Sequence, residues 1–144
     1  FFGPVAVGGT FYVQALEITP VVIFAGLGPG LLATALLAVN NLRDEPTDKK
    51  VGKLTLAVRF GTTFARAEYL ASLVFSAVIP FILAFWTETH WYACISALII
   101  IPGFSSIRQI ISGVKGSELN TTLVSTGKLI LIYGILFSLG WWIG

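Results

Sequence analysis

The sequence contains no methionine, a single cysteine and few charged residues. Only 11% of its 144 residues are Asp, Glu, Lys or Arg, whereas about 25% is usual for a soluble domain. Cys94 has no partner for an internal disulfide and supplies only one ligand of a cysteine metal site. The net charge of +2 gives no basis for nucleic-acid binding. Because Met is absent even at position 1, we expect the chain to be a fragment of a longer protein.

Apolar residues make up 56% of the chain, and the mean hydropathy is +0.87. A bilayer core requires about 20 apolar residues per helix, and four segments reach that length while the first is partial. We therefore predict an all-α membrane protein with one transmembrane domain over residues 1–144. The alternative, a soluble bundle, would need polar faces that these segments lack. The predicted spans are approximately 1–18, 20–42, 64–86, 91–111 and 121–143.

Basic residues occur in only two of the connections between spans. By the positive-inside rule these connections face the cytoplasm, and so the loop 43–63 is predicted to be cytoplasmic. The intervening connections hold no Lys or Arg, and Trp and Tyr flank the opposite end. The basic residues of the two connections are Arg43, Lys49, Lys50, Lys53, Arg59 and Arg66, then Arg108 and Lys115.

Ten of the 16 charged residues lie between Arg43 and Glu68. Around the start of this stretch, Asn41, Asp44 and Asp48 have the spacing of one helical face, although we expect Pro46 to break the helix so that a short one restarts there. Two carboxylates with an amide suit Mg²⁺, which is usually completed by phosphate oxygens. A solvated loop would explain the basic residues, but orientation requires no acidic ones.

The stretch NNLRDEPTDKKVGKLTLAVRFG, residues 40–61, resembles the second aspartate-rich motif of the UbiA superfamily of membrane prenyltransferases. Its form is similar to that of the 1,4-dihydroxy-2-naphthoate prenyltransferases of menaquinone biosynthesis. Residues 1–14 resemble the helix that precedes the motif span in those enzymes, and residues 118–140 resemble their last helix. The resemblance implies a nine-helix bundle, of which this chain would be the C-terminal part, about helices 5–9. The first aspartate-rich motif would lie outside it, so the fragment alone is expected to be inactive.

The resemblance implies a Mg²⁺-dependent enzyme of the bacterial inner membrane, with its active site facing the cytoplasm. It would transfer a polyprenyl group from polyprenyl diphosphate to 1,4-dihydroxy-2-naphthoate, with decarboxylation, to give demethylmenaquinone. Aromatic faces at Phe11 and Tyr12 are candidates for stabilising the allylic cation. The catalytic candidates are Asp44, Asp48 and Arg43; those for the metal are Asn41, Asp44 and Asp48; those for binding the cofactor are Asn41, Lys53 and Arg59.

Several alternatives stay open at this point. The acceptor could be 4-hydroxybenzoate or homogentisate, or the aspartates could bind the cation of a transporter, although such sites normally lie near the bilayer midplane. The glycines at 26, 28 and 30 either pack helices closely or line a prenyl channel, and packing is favoured. Lys128 is interpreted as structural rather than catalytic, and His90 as a surface residue.

Overall fold

The computed structural model describes residues 1–144, and all of its regular structure is helical. The α-helices are α1 (Pro4–Ala15), α2 (Pro20–Ala25), α3 (Leu27–Lys50), α4 (Leu56–Phe60), α5 (Thr62–Thr87), α6 (Ile100–Ser112) and α7 (Leu119–Ile143). Two 3₁₀ segments, Trp91–Ile99 and Gly116–Glu118, lead into α6 and α7 respectively. The prediction of an all-α protein is therefore confirmed.

Four helical stretches are long and apolar enough to cross a membrane: Pro20–Lys50, Thr62–Thr87, Trp91–Ser112 and Gly116–Ile143. The chain is thus an integral, multi-pass membrane protein. Helix α1 has only 12 residues, about 18 Å at 1.5 Å per residue, which is too short to span a bilayer core. The third stretch begins with nine residues of 3₁₀ helix, although such runs rarely exceed four residues.

The core lies where α3 packs against α5 and α7. Ala35 and Ala38 of α3 and Ala65 of α5 are almost completely buried, and small residues of this kind let helices approach closely in a membrane. Tyr69 and Tyr133 fill the remaining space and are both 0% exposed. Outside this core large apolar side chains are exposed, as a lipid-facing surface requires.

Glycines bring α1 and α7 into close contact with the α2–α3 region. A Cβ atom added to Gly3 would lie 2.8 Å from the Cα atom of Gly30, and one added to Gly28 would lie 2.6 Å from Cζ of Tyr133. Real Cβ atoms essentially never approach other atoms this closely. The interpretation of these glycines as packing positions is therefore confirmed at both contacts.

The predicted helix break at Pro46 was wrong, since α3 continues through it to Lys50. Pro46 is exposed and removes one backbone donor. Leu42 and Asp48 on either side of it are buried, and such packing contributes more to the stability of a helix than local propensity does. Beyond it, the N–H groups of Val51 and Lys53 donate to the carbonyls of Thr47 and Asp48, at 3.2 and 2.9 Å. These bonds close the last turn without a new helix start.

The interpretation of His90 as a simple surface residue also needs correction. Its ring stacks on Trp141 with 4.0 Å between ring centroids, and its Nδ1 atom lies 2.9 Å from the Trp141 carbonyl oxygen. A carbonyl only accepts, so Nδ1 is the donor. His90 thus links the connection between α5 and the 3₁₀ segment Trp91–Ile99 to the C-terminal end of α7. This end of the bundle is the one opposite to Asp44.

Candidate active site at the polar end of α3

The two aspartates lie on the part of α3 that extends beyond its apolar stretch, which ends at Leu42. Because the helix is unbroken, Asn41, Asp44 and Asp48 share one face, as their spacing predicts. Neighbours on such a face have Cβ atoms about 5–6 Å apart. Asp48 is 7% exposed, whereas Asn41 and Asp44 are half-buried. Two carboxylates and an amide are therefore brought together at the edge of the membrane-spanning region.

Arg43 forms a bidentate ion pair with the carboxylate of Asp44. Its Nε donates to Oδ1 of Asp44 at 2.7 Å, and its Nη2 donates to Oδ2 at 2.9 Å. The same Nη2 donates to Oδ1 of Asn40 at 2.8 Å, and Nη1 donates to Oδ1 of Asn120 at 3.2 Å. The guanidinium holds the pKa of the Asp44 carboxyl below its ordinary value, chiefly through these hydrogen bonds. Asp44 is thus an anion with a fixed orientation.

Asp48 has its own cation, Lys53, in the turn that follows α3. The Nζ atom of Lys53 lies 3.2 Å from each carboxylate oxygen of Asp48. The Lys53 side chain is 58% exposed, while that of Asp48 is 11% exposed. A carboxylate removed from water requires a partner of opposite charge. Lys53 supplies that partner while its ammonium group stays accessible from the solvent.

The other predicted cation, Arg59, lies on the short helix α4 and is exposed. Its guanidinium carbon sits 5.5 Å from the ring centroid of Phe60, and it forms no ion pair within the chain. This arrangement leaves Arg59 available to bind an anion. The structure does not place it against either aspartate.

The aromatic candidates at Phe11 and Tyr12 are not brought to the aspartates. Phe11 lines an apolar groove with Ala25 and Trp141, at the opposite end of the bundle, and Tyr12 is 49% exposed. From Ala25 to Asp44 the chain advances 19 residues, roughly 28 Å of helix. The expectation that they stabilise a cation formed beside Asp44 therefore has no support in this geometry.

Carboxylate and amide oxygens are the donors that Mg²⁺ prefers, and the ion is commonly held by one or two carboxylates plus substrate phosphates. No group of three or more His, Cys, Asp or Glu side chains could hold a metal ion from protein alone. The residues thus fit Mg²⁺ if a phosphate ligand completes the coordination. Asp44, Asp48 and Asn41 are the available donors.

Two further residues belong to this site, Asn40 and Asn120, and both accept hydrogen bonds from Arg43. Asn40 is the first residue of the aspartate-rich motif at residues 40–61, so the motif itself was a reason to consider it part of the site. Asn120 is 77 residues from Arg43 in the chain, and only the packing of α7 against α3 brings them together. No local pattern could have paired them.

The family of the chain is established by comparison with known protein families. The model of the UbiA prenyltransferase family matches residues 1–122. The chain belongs to this family. It is 38% identical over 136 residues to the 1,4-dihydroxy-2-naphthoate octaprenyltransferase of Mycobacterium tuberculosis, covering 94% of the chain and 45% of that protein. The Haemophilus influenzae protein of the same name is 37% identical, covering 100% of the chain and 47% of the relative.

Eukaryotic members match as well. The human UbiA prenyltransferase domain-containing protein 1 is 33% identical over 143 residues, covering 96% of the chain and 39% of that protein. The chain thus spans less than half the length of these relatives, and it matches a C-terminal portion of the longer proteins. No solved structure matches. The resemblance seen in the sequence is confirmed at the level of the family.

Proposed function

We propose that this chain supplies the diphosphate-binding end of a membrane aromatic prenyltransferase. The reaction would transfer a polyprenyl group from polyprenyl diphosphate to 1,4-dihydroxy-2-naphthoate, with loss of the acceptor carboxylate as CO₂, to give the prenylated dihydroxynaphthalene, which is the quinol form of demethylmenaquinone. One observation carries the proposal: Asp44 and Asp48 share a helix face at the end of an apolar span, each beside a cation. The names of the bacterial relatives support this choice of acceptor.

Within this proposal, Asp44, Asp48 and Asn41 are the residues that would hold Mg²⁺. Bound Mg²⁺ supplies charge neutralisation of the leaving diphosphate. Lys53 and Arg59 are exposed and bind the remaining phosphate oxygens, since cations form strong charge-assisted hydrogen bonds with them. Arg43 is paired with Asp44 and would be the third basic group near the developing negative charge.

The position of the site suits a substrate with a charged head and an apolar tail. The aspartates lie past the end of the apolar part of α3, so a diphosphate there is next to water while the polyprenyl tail lies among the spans. When the bond between the allylic carbon and oxygen breaks, its electron pair leaves with the diphosphate. The acceptor ring then attacks the cationic carbon and becomes aromatic again by releasing its carboxylate as CO₂. The apolar surroundings keep water from quenching the cation. In a bacterial inner membrane, the positive-inside rule would orient this end, with its basic loop, toward the cytoplasm.

The experiment uses the protein expressed from its complete gene and reconstituted in liposomes. Diphosphate release from a polyprenyl diphosphate is measured with and without Mg²⁺ and 1,4-dihydroxy-2-naphthoate. Asp44→Asn and Asp48→Asn should each lower turnover by roughly 10²–10³-fold, as expected for one group that stabilises transition-state charge. Glu88→Gln, which changes an exposed carboxylate at the C-terminal end of α5, at the opposite end of the bundle, is the control and should stay within about twofold. Near-full turnover in both aspartate variants would refute the assignment. Replacing the acceptor with 4-hydroxybenzoate tests the choice of substrate.

A further inference from the structure

The Arg43 guanidinium is held from more than one helix. Asp44 and Asn40 accept its hydrogen bonds from within α3. Asn120, in the first turn of α7, accepts from Nη1 at 3.2 Å. All three guanidinium nitrogens therefore donate, and only the contact with Asn120 ties the group to a different helix.

The contact with Asn120 restricts movement of the Arg43 side chain relative to the other helices, which the contacts with Asp44 and Asn40 do not restrict. Asp44 and Asn40 belong to the same helix as Arg43, so they move with it and cannot fix its side chain relative to the rest of the bundle. Asn120 can, because α7 packs against α3 through the buried residues around Tyr133. Because the guanidinium of Arg43 is planar and donates to both carboxylate oxygens of Asp44, fixing the guanidinium also fixes the orientation of that carboxylate.

We propose that Asn120 is a positioning residue: it fixes the guanidinium of Arg43, and through it the carboxylate of Asp44, in the orientation that binds a metal-bound diphosphate. The inference rests on the proposed function of the Asp44 site. Asn120 acts without touching the diphosphate. Its amide is suited to this role because it accepts from a cation without adding a charge that would compete with Asp44.

The test is a double-mutant cycle on the protein expressed from its complete gene, purified in detergent. The probe is an unreactive prenyl S-thiolodiphosphate, whose equilibrium dissociation constant is measured in the presence of Mg²⁺. Asn120→Ala should weaken binding about 3- to 10-fold, the range expected for one net hydrogen bond. In an Arg43→Ala background the same change should have almost no effect, because the group through which Asn120 acts is gone.

Two further variants sharpen the result. Asn120→Gln keeps an uncharged amide acceptor at this position and should bind the probe more tightly than Asn120→Ala does. Thr121→Ala, the neighbouring position on α7, removes a hydroxyl that bonds to Gln109 and not to Arg43, and should not change binding. An equal loss on Asn120→Ala in both backgrounds would mean that the residue is merely structural, and would overturn the inference. If Asp44→Asn itself leaves binding unchanged, the proposed diphosphate site fails, and the inference fails with it.

Discussion

Replacing Gly28 with alanine should destabilise the bundle at a point far from the aspartates. An added Cβ atom would lie 2.6 Å from Cζ and 2.8 Å from Cε1 of Tyr133, with the hydroxyl oxygen nearer still. Tyr133 is 0% exposed, so the ring cannot swing aside into open space. Overpacking of this kind costs about 1–3 kcal/mol. We expect the free energy of unfolding to fall by that amount.

Substitution of Tyr133, the residue that Gly28 contacts, distinguishes the steric effect of its hydroxyl from that of its ring. The Tyr133 hydroxyl is buried and has no hydrogen-bond partner, so Tyr133→Phe by itself should be neutral or slightly stabilising. Combined with Gly28→Ala, it removes the atom nearest to the new methyl group while leaving the ring carbons in place. The double variant should therefore recover part of the lost stability, but not all of it.

The assay is reversible unfolding in mixed detergent micelles, followed by circular dichroism, alongside prenyl transfer by the same preparations. Gly134→Ala is the matched control, because a Cβ atom there meets nothing within 4 Å; it should be neutral or mildly stabilising, as alanine usually is in a helix. If Gly28→Ala proved as stable as the control but impaired transfer, Gly28 would line a passage. The packing interpretation would then be refuted.

Two other predictions concern the two ends of the bundle. Because Arg43 lowers the pKa of Asp44, this pair stabilises the fold above the ordinary carboxyl pKa of 3.8, and the contribution is lost as the pH falls through the lower, folded value. Acid titration of the unfolding free energy should thus show a smaller loss for Arg43→Gln than for the unmodified protein; identical profiles would contradict it. At the other end, His90→Ala should cost roughly 1–2 kcal/mol by losing both the stack and the hydrogen bond to Trp141, whereas His90→Phe keeps the stack and should cost less. Unfolding in micelles checks this, and equal losses would show that stacking contributes nothing.

The sequence predicts this fold well where a local property decides the outcome. Long apolar stretches specify spanning helices without reference to anything distant, and the spacing of Asn41, Asp44 and Asp48 placed them on one face. Prediction failed at Pro46, because the burial of Leu42 and Asp48 keeps the helix intact across a residue that lacks a backbone donor. It was also incomplete at His90, whose partner Trp141 is 51 residues away. Side-chain pairings across helices depend on packing that no local pattern encodes.

The charges of the loop divide into two classes that composition alone cannot separate. Lys49 and Lys50 are exposed and form no ion pairs, as expected of cations that only orient the chain in a membrane. Arg43 and Lys53 are instead paired with Asp44 and Asp48. An acid next to each cation reduces the net positive charge that orientation requires, so orientation does not explain these pairs. The proposed function offers a reason for them: a metal-bound diphosphate carries both charges and would exchange contacts with each pair.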